Sequence, residues 1–67
     1  MPIIRVEMLK GRTAEQKQDL ADNLTTAFIE SCGGNPEKLN IIITEVDSEN
    51  WAIGGELLAN KPSKTAS

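Results

Sequence analysis

Histidine is absent from this sequence, cysteine occurs once, at Cys32, and the only aromatic side chains are Phe28 and Trp51. Without a second cysteine no disulfide can close within the chain, and without histidine no credible zinc-ligand set can be assembled. Nor is there a basic cluster: seven Lys and Arg stand against ten Asp and Glu, a net charge of −3, so the phosphate-neutralising surface of a nucleic-acid binder is missing. No apolar run approaches the roughly 20 residues that span a bilayer, and no basic stretch leads into an apolar segment and a cleavage site at the N-terminus. These absences describe a soluble cytoplasmic protein that binds neither nucleic acid nor membrane. They also leave a deficit of stability. A chain of 67 residues is one domain at most and buries only about 60% of its unfolded surface. Lacking a disulfide or a metal, it is expected to draw stability from oligomerisation.

What is present is a regular alternation of patterns. Ile3 to Leu9 alternates, with Ile4, Val6 and Met8 on one wholly apolar face and Ile3, Arg5, Glu7 and Leu9 on the other, which predicts a strand. Lys10-Gly11-Arg12 breaks it, and Thr13 followed by Gln16 fits a capping box at a helix start. Leu20, Leu24, Ala27, Phe28 and Ser31 or Cys32 then recur at helical spacing, with Glu15, Lys17, Gln18, Asp19, Asp22 and Asn23 mostly opposite. Cys32 is expected as a small buried apolar residue. Gly33-Gly34 supplies a helix stop, and Asn35-Pro36-Glu37 a cap for one short turn.

Leu39 to Val46 is the second predicted strand, and its Ile41-Ile42-Ile43 centre is apolar on both faces, as a strand covered on both sides requires. A strand, a long helix and a strand imply a right-handed crossover with parallel strands. One helix covers one face of the sheet, so the other face needs another subunit. After the polar Asp47-Ser48-Glu49-Asn50, Trp51-Ala52-Ile53 and Glu56-Leu57-Leu58 flank the Gly54-Gly55 turn signal, which predicts a small hairpin. The reading is thus an α+β fold: a small β-α-β subunit with two parallel strands, one long helix and a C-terminal hairpin, completed by oligomerisation. Residues 1–59 form the single domain and 60–67 a mobile tail.

The chemistry centres on Met1-Pro2, a start from which methionine is normally trimmed. A proline left at a free terminus is a secondary amine that can take and give a proton, which it cannot do inside a chain. Anchored to a strand that enters the core, it would be a fixed base. The competing reading of Pro2 is a strand's first residue, where the missing N–H forfeits no ladder bond.

Pro2-Ile3-Ile4, Gly11-Arg12-Thr13 with Glu15-Gln16-Lys17, Ile41-Ile42-Ile43-Thr44-Glu45, and Trp51-Ala52-Ile53-Gly54-Gly55-Glu56 together resemble the 4-oxalocrotonate tautomerase family, in register from Pro2 to about Leu58. The resemblance implies a homo-oligomer, a hexamer built as a trimer of dimers, with Pro2 as catalytic acid and base and no metal or cofactor. It implies that Arg12 reaches a neighbouring subunit's site to bind a substrate carboxylate and draw electron density toward it, and that Trp51, in a place usually held by phenylalanine, forms the aromatic wall. Asn40 is a departure, standing where oxalocrotonate-type enzymes carry a second arginine. An amide brings no charge, and a charge-assisted contact is roughly twice as strong as a neutral one. The expected substrate is therefore a small carboxylate-bearing 2-oxo or 2-hydroxy acid rather than the family's dicarboxylate. Ile53 stands where dehalogenating and hydrating relatives place a water-activating glutamate. Two further readings remain open: a non-catalytic oligomer on the same scaffold, and a weakly selective decarboxylase or hydratase.

Overall fold

The computed structural model of the chain describes residues 1–61. Its central feature is a two-stranded parallel sheet, β1 (Ile3–Leu9) beside β2 (Asn40–Val46), with α1 (Ala14–Cys32) crossing between them. A short hairpin, β3 (Ala52–Ile53) and β4 (Glu56–Leu57), follows as a second sheet. Single 3-10 turns occupy Pro36–Lys38, Ser48–Asn50 and Leu58–Asn60. The two parallel strands, the long helix and the hairpin are the architecture expected from the sequence. Asn60 closes the last 3-10 turn and the Lys61 ammonium lies 4.0 Å from Glu56; the rest of the tail expected from Asn60 onward, 62–67, lies outside the described residues.

Each boundary has a local cause. The Thr13 hydroxyl accepts the Gln16 N–H at 3.0 Å and the Gln16 side-chain oxygen accepts the Thr13 N–H at 2.9 Å, so two of the amides left open at a helix start are satisfied reciprocally. The helix stops where the Gly33 N–H bonds the Ile29 carbonyl at 2.8 Å. The Asn35 side chain accepts the Glu37 N–H at 2.9 Å with Pro36 in the first position of the following turn. Between β3 and β4, Gly54 and Gly55 both have positive φ, +62° and +87°, the combination that a two-residue hairpin turn demands and that side-chain-bearing residues resist. Thr13→Ala removes half of the capping box and is expected to destabilise the fold by about 1 kcal/mol, read as a lower urea midpoint at fixed protein concentration.

The helix stripe is rotated from the sequence expectation. Leu20, Leu24 and Phe28 turn inward as predicted, but their companions are Ala21, Thr25 and Ile29, whereas Ala27, Ser31 and Cys32 are exposed. Cys32 is therefore not a core residue: at 100° per residue it falls on the same side as Phe28 and Ile29, but it is the last residue of the helix and stands exposed there. Lys17, assigned to the solvent side, turns toward the sheet and pairs with Glu45 of β2 at 3.1 Å.

The register sets Ile4, Val6 and Met8 beside Ile41, Ile43 and Glu45 under the helix. Ile3, Arg5, Glu7 and Leu9 lie with Asn40, Ile42, Thr44 and Val46 on the face that no helix covers. There Ile3 is 50% and Ile42 40% exposed, and among the described residues none is fully buried. The radius of gyration is 14.9 Å, against about 11 Å for a compact chain of this length. A thin, half-covered sheet of this kind is marginal alone.

Candidate functional site

Proline contributes one backbone group to a sheet, its carbonyl, and that group is the one used here: the Pro2 carbonyl accepts the Asn40 N–H at 3.0 Å. One step further along, Ile3 is register partner to Asn40. Pro2 and Asn40 thus stand side by side at the head of the two parallel strands, both exposed, with Met1 reaching into solvent beyond them at 87% exposure.

Arg12 and Trp51 belong to the other end. Beyond Leu9 the Lys10 N–H continues the ladder to the Val46 carbonyl at 3.1 Å, and the Lys10 ammonium pairs with Asp47 at 3.1 Å. Arg12, half-buried, follows two residues later. It lies at the mouth of a hollow of ≈ 360 Å³ between β1 and α1, together with Gln16 and Lys17 and above an apolar floor of Val6, Met8 and Leu20. Trp51 comes after β2 by way of the Ser48–Asn50 turn; it too is half-buried, and its carbonyl accepts the Leu58 N–H at 2.8 Å, fastening the hairpin to this end.

The four residues singled out in the sequence therefore fall into two pairs, Pro2 with Asn40 and Arg12 with Trp51, separated by the length of a strand. From Pro2 to Leu9 is about 23 Å at the ordinary rise of a strand. No arrangement of side chains within one subunit closes that gap, since an arginine extends only some 7 Å beyond its backbone. A site using all four must draw on more than one copy of the chain. Lys17 is the residue near Arg12 that sequence reasoning misplaced; the available signals were its position three residues before Leu20 and the alternation that puts Glu45 on the same face as Ile41 and Ile43.

Chemically, the head of the sheet offers one group of interest, the Pro2 nitrogen, which becomes a proton carrier only when no residue precedes it. The opposite end carries Arg12, a guanidinium suited to a carboxylate, after β1, and Trp51, a bulky aromatic surface, after β2.

Comparison with known proteins points in one direction. The sequence model of the family described as "Tautomerase enzyme" matches residues 2–61. A probable tautomerase of Bacillus cereus is 41% identical over 61 residues, spanning 91% of this chain and 100% of that protein. The 2-hydroxymuconate tautomerase of Bacillus subtilis is 38% identical over 60 residues, 90% and 97% of the two chains. Among solved structures, a heterohexamer 4-oxalocrotonate tautomerase from Chloroflexus aurantiacus superposes with a TM-score of 0.83 at 35% identity, covering 90% of this chain and 97% of that one.

Proposed function

Since the chain belongs to the tautomerase family, we propose that it interconverts the enol and keto forms of a small unsaturated 2-oxo or 2-hydroxy acid, with the free nitrogen of Pro2 carrying the proton. The observation that carries this reading is the fixed position of Pro2: the backbone bond to Asn40 at 3.0 Å holds the residue at the head of the sheet, so its nitrogen is a positioned base once Met1 is removed. The name of the Bacillus subtilis relative, a tautomerase of 2-hydroxymuconate, supports an unsaturated 2-hydroxy acid as the substrate class; that compound carries two carboxylates, and the preference for one carboxylate rests on Asn40 alone.

In the proposed reaction the neutral Pro2 nitrogen accepts the enol hydroxyl proton. As that O–H bond breaks, the oxygen lone pair forms the C=O bond and the C=C electrons move onto carbon, where a new C–H bond forms with the proton returned by the prolinium. Negative charge passes through the conjugated system between the two transfers. Arg12 from a neighbouring subunit binds the carboxylate and stabilises that charge, and Trp51 excludes water and lowers the local dielectric around it. Asn40, next to Pro2, donates an uncharged hydrogen bond to the substrate oxygen. The strand-length separation of Pro2 from Arg12 supports a site shared between subunits, and the hexameric relative supports a hexamer, a trimer of dimers, as the assembly that supplies it.

The reading is tested by following ketonisation of small enol acids in the ultraviolet with protein of confirmed mass. Monocarboxylate enols are expected to be turned over with a higher kcat/KM than dicarboxylates. Asn40→Arg is expected to shift that preference toward the dicarboxylate by about tenfold, because a guanidinium replaces a neutral donor with a charge-assisted bidentate one. No turnover of any such enol by the processed protein would refute the proposal.

A further inference from the structure

We propose that the ion pair of Lys17 with Glu45 is a positioning device for Arg12: it pins the first turn of α1 to the end of β2 and thereby fixes where the Arg12 guanidinium stands. This role rests on the function given to Arg12 above. Arg12 ends the link Lys10-Gly11-Arg12 that joins β1 to the N-cap Thr13. Upstream the link is loose. Gly11 has a φ of +132°, and beyond its chain neighbours no atom lies within 4 Å of where a Cβ on it would stand, so no packing restrains the residue with the widest backbone freedom. Downstream the link is tight. Arg12 is bonded directly to Thr13, whose N–H and hydroxyl are held by Gln16 at 2.9 and 3.0 Å and whose carbonyl accepts the Lys17 N–H at 3.1 Å. The Arg12 backbone therefore travels with the first turn of the helix.

Little apolar packing sets that turn over the sheet. Of the residues from Ala14 to Lys17, Lys17 alone is half-buried and the others are exposed; the next half-buried position of the helix is Leu20. Between α1 and β1 lies the hollow of ≈ 360 Å³ whose mouth holds Arg12, Gln16 and Lys17. On the β2 side the Lys17 ammonium crosses to Glu45 at 3.1 Å, and Glu45 is the register partner of Met8, which floors the same hollow. Lys17 is thus tied twice, by its N–H to Thr13 and by its side chain to the sheet. Through it, the residue that follows Arg12 is fastened to β2.

The electrostatics fit a tether better than a surface contact. The side chains of Lys17 and Glu45 are 30% and 28% exposed, against 62% and 43% for Lys10 and Asp47, and a partly covered pair is screened less by salt than an exposed one. Lys17 also stands in the first turn, where the helix dipole disfavours a cation, and it shares the mouth of the hollow with the Arg12 guanidinium. Both effects would drive a lysine out of this place. The Glu45 carboxylate is what holds the ammonium over the sheet, and with it the turn that carries Arg12.

The test joins a double-mutant cycle to a measurement that needs no turnover. Glu45→Gln and Lys17→Met break the pair while nearly keeping the shape of each side chain, and Lys17→Arg keeps it. NMR relaxation reads the mobility of the backbone and guanidinium N–H groups of Arg12, with Arg5, the only other arginine, as internal reference. Either breaking variant is expected to raise the mobility of Arg12 and leave Arg5 unchanged, and Lys17→Arg to behave like the wild type. On a carboxylate-bearing enol, each breaking variant is expected to lose about fivefold in kcat/KM. In an Arg12→Ala background the same substitutions are expected to cost nothing further, because they act through Arg12. An Arg12 mobility indifferent to the pair would overturn the proposal. So would losses as large without Arg12 as with it, which mark a merely structural role, or a lower KM in Glu45→Gln, which would make Lys17 itself a substrate cation that Glu45 restrains. Should one breaking variant fail to fold, the other decides. If the wild type turned over no enol, the functional reading would fail, and the NMR comparison alone would decide whether the pair places Arg12.

Discussion

Protein that retains Met1 is expected to lose at least a hundredfold in kcat/KM for enol ketonisation relative to protein that begins at Pro2. With methionine in place the Pro2 nitrogen is an amide, its lone pair committed to the carbonyl, and it can neither accept nor return a proton. General acid–base catalysis of this kind contributes about 10² to 10⁴ in rate, so the loss should approach that range. The sheet itself is unaffected, because Pro2 enters the ladder through its carbonyl and Met1 already stands in solvent at 87% exposure. Circular dichroism and mass should therefore be unchanged while activity falls. Pro2→Ala, once processed, keeps a terminal amine and should retain a lowered but measurable rate.

The pH profile follows from the same assignment. An ordinary α-amine titrates at about 7.7–8.0; in the proposed site a neighbouring subunit's Trp51 and Arg12 would desolvate the Pro2 nitrogen and oppose its positive charge, so the Pro2 amine is expected to titrate below an exposed prolyl terminus. The active form in the ketonisation direction is the neutral amine, so kcat/KM should rise with pH through that lowered value, and the rise should vanish in the Met1-retaining protein. Equal rates for processed and Met1-retaining protein would make Pro2 no more than the first residue of β1.

The fold was legible where short-range chemistry decides it. The Thr13–Gln16 box, the Asn35-Pro36 cap and the Gly54-Gly55 turn each act within four residues, and each is found where the sequence placed it. The rotation of α1 was less legible. Ala27 and Ala21 have the same side chain, and only the line of contact with β1 and β2 decides which faces inward. Lys17 misled for a related reason, since a long aliphatic stem lets a cation lie along a half-covered face while its ammonium reaches Glu45. Cys32 was assigned inward on the habit of its residue type and stands exposed in the last turn of the helix. The division of the candidate site was implicit in the sequence, because Pro2 precedes β1 and Asn40 begins β2, whereas Arg12 and Trp51 follow the two strands. Parallel pairing then makes the separation unavoidable.

That separation gives the second large effect. Arg12→Ala is expected to lower kcat/KM on a carboxylate-bearing enol by at least tenfold, or about 1.4 kcal/mol, with KM and kcat both affected because the guanidinium binds the carboxylate and also stabilises the charge that develops during transfer. Unchanged kinetics on several such acids would return Arg12 to an ordinary place at a helix start. The stronger test uses two damaged proteins together. Met1-retaining subunits lack the proton carrier but keep Arg12, and Arg12→Ala subunits keep the free Pro2. If each site takes Pro2 from one subunit and Arg12 from another, random co-refolding of equal amounts should give intact pairs in about a quarter of the sites. Activity well above the average of the two parents is then expected. If both groups came from the same subunit, no mixed assembly would contain an intact site, and the mixture would show only that average.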